Sequence, residues 1–234
     1  MVLNWNALQT AVVYDNPYRW ILCKNLIAQE VQLELIKSYP SPTLSAELSQ
    51  ENVSLWTPII ATEEAITQLQ KIHDMWRDRF EKGQLTSSVQ NLGEVWQKLI
   101  KDLWTPTYRE IMEELSGLRL NNHAMTIQFR RNCHTRYPYS DQTKAVYTPH
   151  LDGSPKNLTH LFFFHQEWSL DWGGYFRVLN DNQPESIFYE VPPLINYSLA
   201  LVRSERSWHM VTPVSQNAPQ LRLSLQIAFW NLKS

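Results

Sequence analysis

At 234 residues, 43% of them hydrophobic and 19% charged, the chain has enough apolar material for one large domain or two small ones. A formal net charge of -2 supplies no field that would select nucleic acid or an anionic membrane, and neither is expected as a partner. Cys23 and Cys133 make no disulfide framework, the start Met1-Val-Leu-Asn-Trp-Asn lacks a basic, apolar leader, and no window nears the ~20 apolar residues that cross a bilayer, so a cytoplasmic setting is expected.

In chain order, an apolar strand-like run from Trp20 to Leu26 leads into a helix over about Ala28 to Ser38, which Tyr39-Pro40 and Pro42 stop. Residues 40–58, rich in Ser, Pro and Thr, read as a surface connection. A helix follows, with Thr62 as N-cap, Glu63 and Glu64 in its first turn and Gly83 after its end. Its apolar stripe is Ile66, Leu69, Ile72, Trp76 and Phe80, and His73 is expected to be a partly exposed helix residue. A second helical pattern carries Val95, Trp96, Leu99, Ile100, Leu103 and Trp104, breaks at Pro106, and resumes through Tyr108, Ile111, Met112 and Leu115 to Gly117.

After residue 120 the pattern changes. Met125–Arg131, Leu158–Phe164, Tyr175–Leu179, Ile187–Val191, Leu199–Val202 and Leu221–Trp230 are short β-prone runs between turn-forming residues. No helical pattern intervenes, which disfavours a parallel βαβ sheet and favours an antiparallel sandwich or barrel with the earlier helices outside. Residues 1–120 read as a helical support region and 121–234 as a β core, together one structural domain. The ten tryptophans fall mostly at core periods and are read as packing.

His150 and Asp152 stand two apart in Pro149-His150-Leu151-Asp152-Gly153, so on a strand their side chains leave one face. An imidazole and a carboxylate side by side form two-thirds of the facial ligand set that leaves positions open on ferrous iron. The third ligand must be another histidine, and among the seven in the chain His209 is the best candidate, because it opens a strand-like segment after the run from Leu199. Alone, such a pair can equally be a solvated surface feature. In the alternating run from Leu221, Arg222, Ser224 and Gln226 share one face. A guanidinium turned into a barrel needs an anionic partner, and a bound dicarboxylate would be one.

Taken together, His150-x-Asp152, Thr159 followed by an aromatic strand, Trp168, Gly173-Gly174, Ser207-x-His209-x-Val211-x-Pro213 and Arg222-x-Ser224 resemble the iron(II)- and 2-oxoglutarate-dependent oxygenases, prolyl-hydroxylase-like branch, over residues 125–230. The resemblance implies an α+β fold with a mainly β core, a double-stranded β-helix (jelly roll, cupin-like) with the N-terminal helices packed on one sheet. It implies that His150, Asp152 and His209 bind Fe(II), and that Arg222, with Ser224 alongside, holds the distal carboxylate of 2-oxoglutarate. Thr159 is a further cosubstrate candidate, as are Tyr137 and Tyr139 in the preceding loop. Phe163 stands where the family often has a tyrosine for that carboxylate.

The implied reaction consumes O2, decarboxylates 2-oxoglutarate to succinate and hydroxylates an unactivated C–H bond, with ascorbate as a stimulant. Asp152 disfavours halogenation, which needs a small residue there; desaturation or ring formation can use the same triad. A small-molecule substrate is expected, an amino acid or biosynthetic intermediate, anionic or carrier- or peptide-bound. The alternatives are a peptidyl or prolyl hydroxylase acting on a protein, and a non-catalytic metal-binding β-helix protein. The loop Asn132–Ala145, with Arg136 and Lys144 and preceded by Arg130 and Arg131, reads either as a basic lid meeting the substrate or as a solvated loop. His165 is expected in the barrel wall, with His160 on the opposite face.

Overall fold

In the computed structural model, residues 1–41, 63–132 and 147–232 are described. The proposed Thr62 cap, most of the 40–58 connection, and the loop that contains Cys133, Arg136, Tyr137, Tyr139 and Lys144 lie outside them. Among the described residues, nine strands form two antiparallel sheets. They are β1 (Val12–Tyr14), β2 (Trp20–Lys24), β3 (His123–Asn132), β4 (Lys156–Phe163), β5 (Phe176–Leu179), β6 (Ile187–Val191), β7 (Tyr197–Val202), β8 (His209–Val211) and β9 (Arg222–Asn231). The larger sheet has the order β1-β2-β7-β4-β9-β3 and the smaller β6-β5-β8. Each named strand pair is antiparallel, so the fold is α+β with a mainly antiparallel sheet core.

The helices follow the periodicity of the sequence. They are α1 (Trp5–Gln9), α2 (Gln29–Lys37), α3 (Glu63–Glu81), α4 (Ser87–Gln90), α5 (Glu94–Leu103) and α6 (Pro106–Ser116). The break at Pro106 has a local cause. Proline lacks an N–H but fits the first helical position, and the Thr105 hydroxyl caps the new helix by accepting from the Tyr108 N–H. Gly117 ends α6 at φ 72, a left-handed position that costs glycine little. The short elements α1 and β1 were not expected from the sequence, being too brief for periodicity to register.

β4 has the helices packed on one face and the smaller sheet on the other, so its residues from Leu158 onward are buried without alternation. Leu158 and Phe162 pack with Trp96, Leu99, Tyr108 and Met112 of the helices. Leu161 and Phe163 face the other way, packing with Phe176, Val178 and Val211 of the smaller sheet. The N-terminal third also contributes backbone to the sheet, since β2 pairs with β7 from Trp20↔Leu201 to Lys24↔Tyr197. Trp20, Trp76 and Trp96 are fully buried.

His73 corrects one expectation. It is only 3% exposed, and its Nδ1 accepts from the Met125 N–H at 3.0 Å, so it ties α3 to β3. Burial holds it neutral, its pKa pushed down to about 4. The stripe had already marked that helix face as buried, and a histidine that caps a strand N–H is satisfied there. His160, on the helix-facing side of β4, is likewise buried and bonds the Tyr108 hydroxyl at 2.9 Å. No described helix is long and apolar enough to cross a membrane.

Candidate metal centre

Two segments far apart in sequence meet in one isolated antiparallel bridge, His150↔His209. Each histidine donates its N–H to the other's carbonyl, at 2.9 and 3.1 Å, and the ring centroids are 4.3 Å apart. Nδ1 of His150 is 2.8 Å from the Thr148 carbonyl, and Nδ1 of His209 is 2.8 Å from the Ser207 carbonyl. A carbonyl only accepts, so each Nδ1 carries the proton and each Nε2 keeps its lone pair. Burial lowers the pKa of both rings, that of His209 to about 3, and keeps them neutral. Neutral imidazoles of this tautomer, oriented by backbone carbonyls, are metal donors.

Asp152 supplies the charge. Burial alone would raise its pKa, but the Lys156 ammonium, His209 and the Thr159 hydroxyl outweigh that and hold the carboxyl well below the usual range. Oδ1 pairs with Lys156 Nζ, and Oδ2 accepts from the Thr159 hydroxyl at 2.7 Å. Among the described residues, no three His, Cys, Asp or Glu side chains are gathered closely enough to enclose an ion as they stand. Both Asp152 oxygens are engaged by Lys156 and Thr159. The donor types nevertheless suit ferrous iron: two neutral imidazoles and one ionised carboxylate, carried by β8 and the segment before β4.

Arg222 begins β9, 3% exposed. Its Nε donates to the Gly174 carbonyl at 2.6 Å, an Nη contacts the Ser224 hydroxyl at 3.4 Å, and its guanidinium lies 5.1 Å from the Phe163 ring centroid. Burial lowers its pKa to about 10, with Tyr147 and Tyr39 opposing the shift. The two glycines set this geometry. A Cβ on Gly173 would collide with the Pro213 carbonyl oxygen, and one on Gly174 would meet Arg222 Cδ at 3.1 Å. Both have positive φ, 64 and 71, and the Gly173 carbonyl accepts from Trp168 Nε1 at 2.7 Å.

Thr159 and Phe163 lie on one face of β4, four residues apart, so the Asp152 and Arg222 positions are separated along the strand by ~13 Å. Leu161 stands between them, on the wall that faces the smaller sheet. The Thr159 hydroxyl, expected to reach the cosubstrate, is bonded to Asp152. His165 lies near Arg222; its Nε2 accepts from the Leu223 N–H at 2.9 Å, and its ring packs on Trp168. Of the basic residues before the loop, Arg130 is turned inward to Gln128 Oε1 at 2.6 Å, and Arg131 stacks over Tyr39 at 5.0 Å. The sequence reading missed Lys156, which looks like an ordinary strand-start lysine. It also gave no site role to Tyr147, whose phenol acts on Arg222, or to Tyr18, which bonds the Trp208 carbonyl at 3.1 Å beside Asp152.

Residues 135–230 match the family model of the 2OG-Fe(II) oxygenase superfamily, 2OG being 2-oxoglutarate. Among curated proteins none matches the sequence. Among solved structures, the chain is similar to a Pseudomonas putida prolyl-4-hydroxylase at 14% identity and TM-score 0.50, covering 97% of this chain and 89% of that one. It is less similar to a Trichoplax adhaerens prolyl hydroxylase solved with a hypoxia inducible factor peptide, at 12% identity and TM-score 0.43, covering 86% and 88%. The first likeness extends the shared fold across the N-terminal third, which lies outside the family match.

Proposed function

We propose that the chain, whose residues 135–230 match the 2OG-Fe(II) oxygenase superfamily, is a 2-oxoglutarate-dependent dioxygenase in which His150, Asp152 and His209 hold the ferrous ion. Arg222, with Ser224 beside it, takes the distal carboxylate of 2-oxoglutarate, and the enzyme hydroxylates a C–H bond of a small molecule. An iron ion held there would supply the O2-activating chemistry that accompanies decarboxylation of 2-oxoglutarate to succinate. The observation that carries the reading is the His150–His209 bridge, with both rings neutral and both Nδ1 atoms committed to carbonyls.

The residues of the chain perform the remaining tasks. Thr159 orients Asp152, and the Gly174 carbonyl aims the Arg222 fork along the wall of β4. The buried Arg222 guanidinium over the face of Phe163 supports the reading that it grips a carboxylate. Leu161, Phe163, Phe176 and Val211 line the space between the sheets with apolar surface that excludes water from the reacting centre. The two antiparallel sheets and the apolar layer they share support reading the fold as a double-stranded β-helix, and the β2–β7 pairing supports reading the helical front and β back as one structural domain.

A free small molecule is the first reading proposed for the substrate. The second reading, a peptidyl or prolyl hydroxylase, is favoured by the likeness in fold to the Pseudomonas putida enzyme. The match to the oxygenase family model favours an enzyme over the non-catalytic reading. Purified protein with Fe(II), ascorbate and 2-oxoglutarate, offered free amino acids, small carboxylates and proline-containing peptides in parallel, separates the two. A gain of one oxygen by mass spectrometry on a free small molecule supports the first reading, and a gain on peptides alone overturns it in favour of the second.

A further inference from the structure

The side chain of Lys156 reaches back across the tight turn in which its own N–H donates to the Gly153 carbonyl at 3.0 Å. Its ammonium lands on Asp152 Oδ1, with the two side chains only 14% and 13% exposed. Its charge acts on His150 and His209 as well as on Asp152, so one cation of the chain bears on all three proposed ligands. A second resting place lies close by, the Trp230 ring, whose centroid is 5.8 Å from Nζ. Trp230 is the register partner of Lys156 on β9, so the stem need not move far.

We propose that Lys156 is an internal counter-ion that takes the place of the metal on Asp152 in the metal-free protein and must be displaced for the metal to bind. The inference rests on the reading that His150, Asp152 and His209 form the metal site. A buried carboxylate with no countercharge is strongly disfavoured, and two neutral imidazoles offer none. Lys156 supplies that charge. A divalent ion on Asp152 repels an ammonium at contact distance, and the flexible four-carbon stem lets Lys156 withdraw toward Trp230. The lysine therefore stabilises the metal-free state selectively, and by linkage it lowers metal affinity by the same factor. The device keeps the site folded while empty and sets the metal concentration at which it fills.

The test uses the full-length protein with Mn(II), a redox-stable probe, titrated at one fixed pH by electron paramagnetic resonance, together with thermal melts of the metal-free and Mn(II)-saturated forms. Lys156→Met is expected to bind Mn(II) on the order of tenfold more tightly than wild type. Its metal-free midpoint falls by about 3 °C while the saturated midpoint stays unchanged. Lys156→Arg, which keeps the charge, returns both values toward wild type. Equal affinity in Lys156→Met, or equal falls of both midpoints, overturns the proposal. Asp152→Ala separates the two levels. If wild type binds Mn(II) and Asp152→Ala does not, the ligand reading stands whatever Lys156 does. If wild type binds none, or Asp152→Ala binds as well as wild type, both fall.

Discussion

His150 and His209 exchange both of their backbone hydrogen bonds, at 2.9 and 3.1 Å, in a bridge that brings their rings to 4.3 Å. The backbone pair fixes the Cα positions, and the Thr148 and Ser207 carbonyls fix the ring tautomers. The two imidazoles are thus held in place by the chain's own backbone, as the proposed metal ligands would need to be.

Replacing a group that orients a ligand costs less than replacing the ligand. Thr159→Val removes the hydroxyl that donates to Asp152 at 2.7 Å, and is expected to weaken metal binding by ~10–100-fold without changing the fold. Equilibrium dialysis against Fe(II) under anaerobic conditions, followed by metal analysis, measures this.

The proposed role of Arg222 is to hold the cosubstrate. Arg222→Met removes a charge-assisted contact of about 1.5–3 kcal/mol, so KM for 2-oxoglutarate rises by ~10–100-fold, with a smaller effect on kcat. Steady-state succinate formation at varied 2-oxoglutarate checks the split. An unchanged KM removes Arg222 from that role.

Gly174→Ala should mimic part of that loss from a distance. The added Cβ would meet Arg222 Cδ at 3.1 Å and Val214 Cγ2 at 3.2 Å, at a φ of 71. The expected outcome is a raised KM for 2-oxoglutarate plus a destabilisation of about 1–3 kcal/mol, read by urea denaturation.

Acid should unfold the protein through its buried neutral histidines. His73 and His165 are pushed down to about 4 and His160 to about 3, each mainly by burial, from an ordinary 6.5. Since the unfolded chain takes up protons first, their contribution is fully present above pH 6.5 and is lost as pH falls from there toward 4. At pH 5 each removes roughly 1–2 kcal/mol. Urea midpoints at pH 7.5, 6 and 5 should decline in that order, and His73→Gln should flatten the decline.

The sequence announced most of the elements because each signal was physical and local. Pro106 with Thr105 marked where one helix ends and the next begins, and the alternation from Leu221 marked β9 and which side chains share a face with Arg222. His150-x-Asp152 was legible because strand geometry puts i and i+2 on one side. Tyr18 near Asp152, and Tyr147 near Arg222, were not legible, since their positions depend on packing between segments distant in the chain. Lys156 was hidden for another reason. A strand-start lysine is usually solvated, and the turn that folds it back onto Asp152 has no sequence pattern of its own.

The central claim is that three side chains hold one iron ion and that this ion drives 2-oxoglutarate turnover. The most direct test measures succinate formed from 2-oxoglutarate by wild type and by His209→Ala, with Fe(II) and with the metal chelated. Wild type is expected to form succinate only with Fe(II), slowly even without a prime substrate, and His209→Ala to form none above background. Succinate formation at the wild-type rate by His209→Ala, or by wild type with the metal removed, would contradict the account.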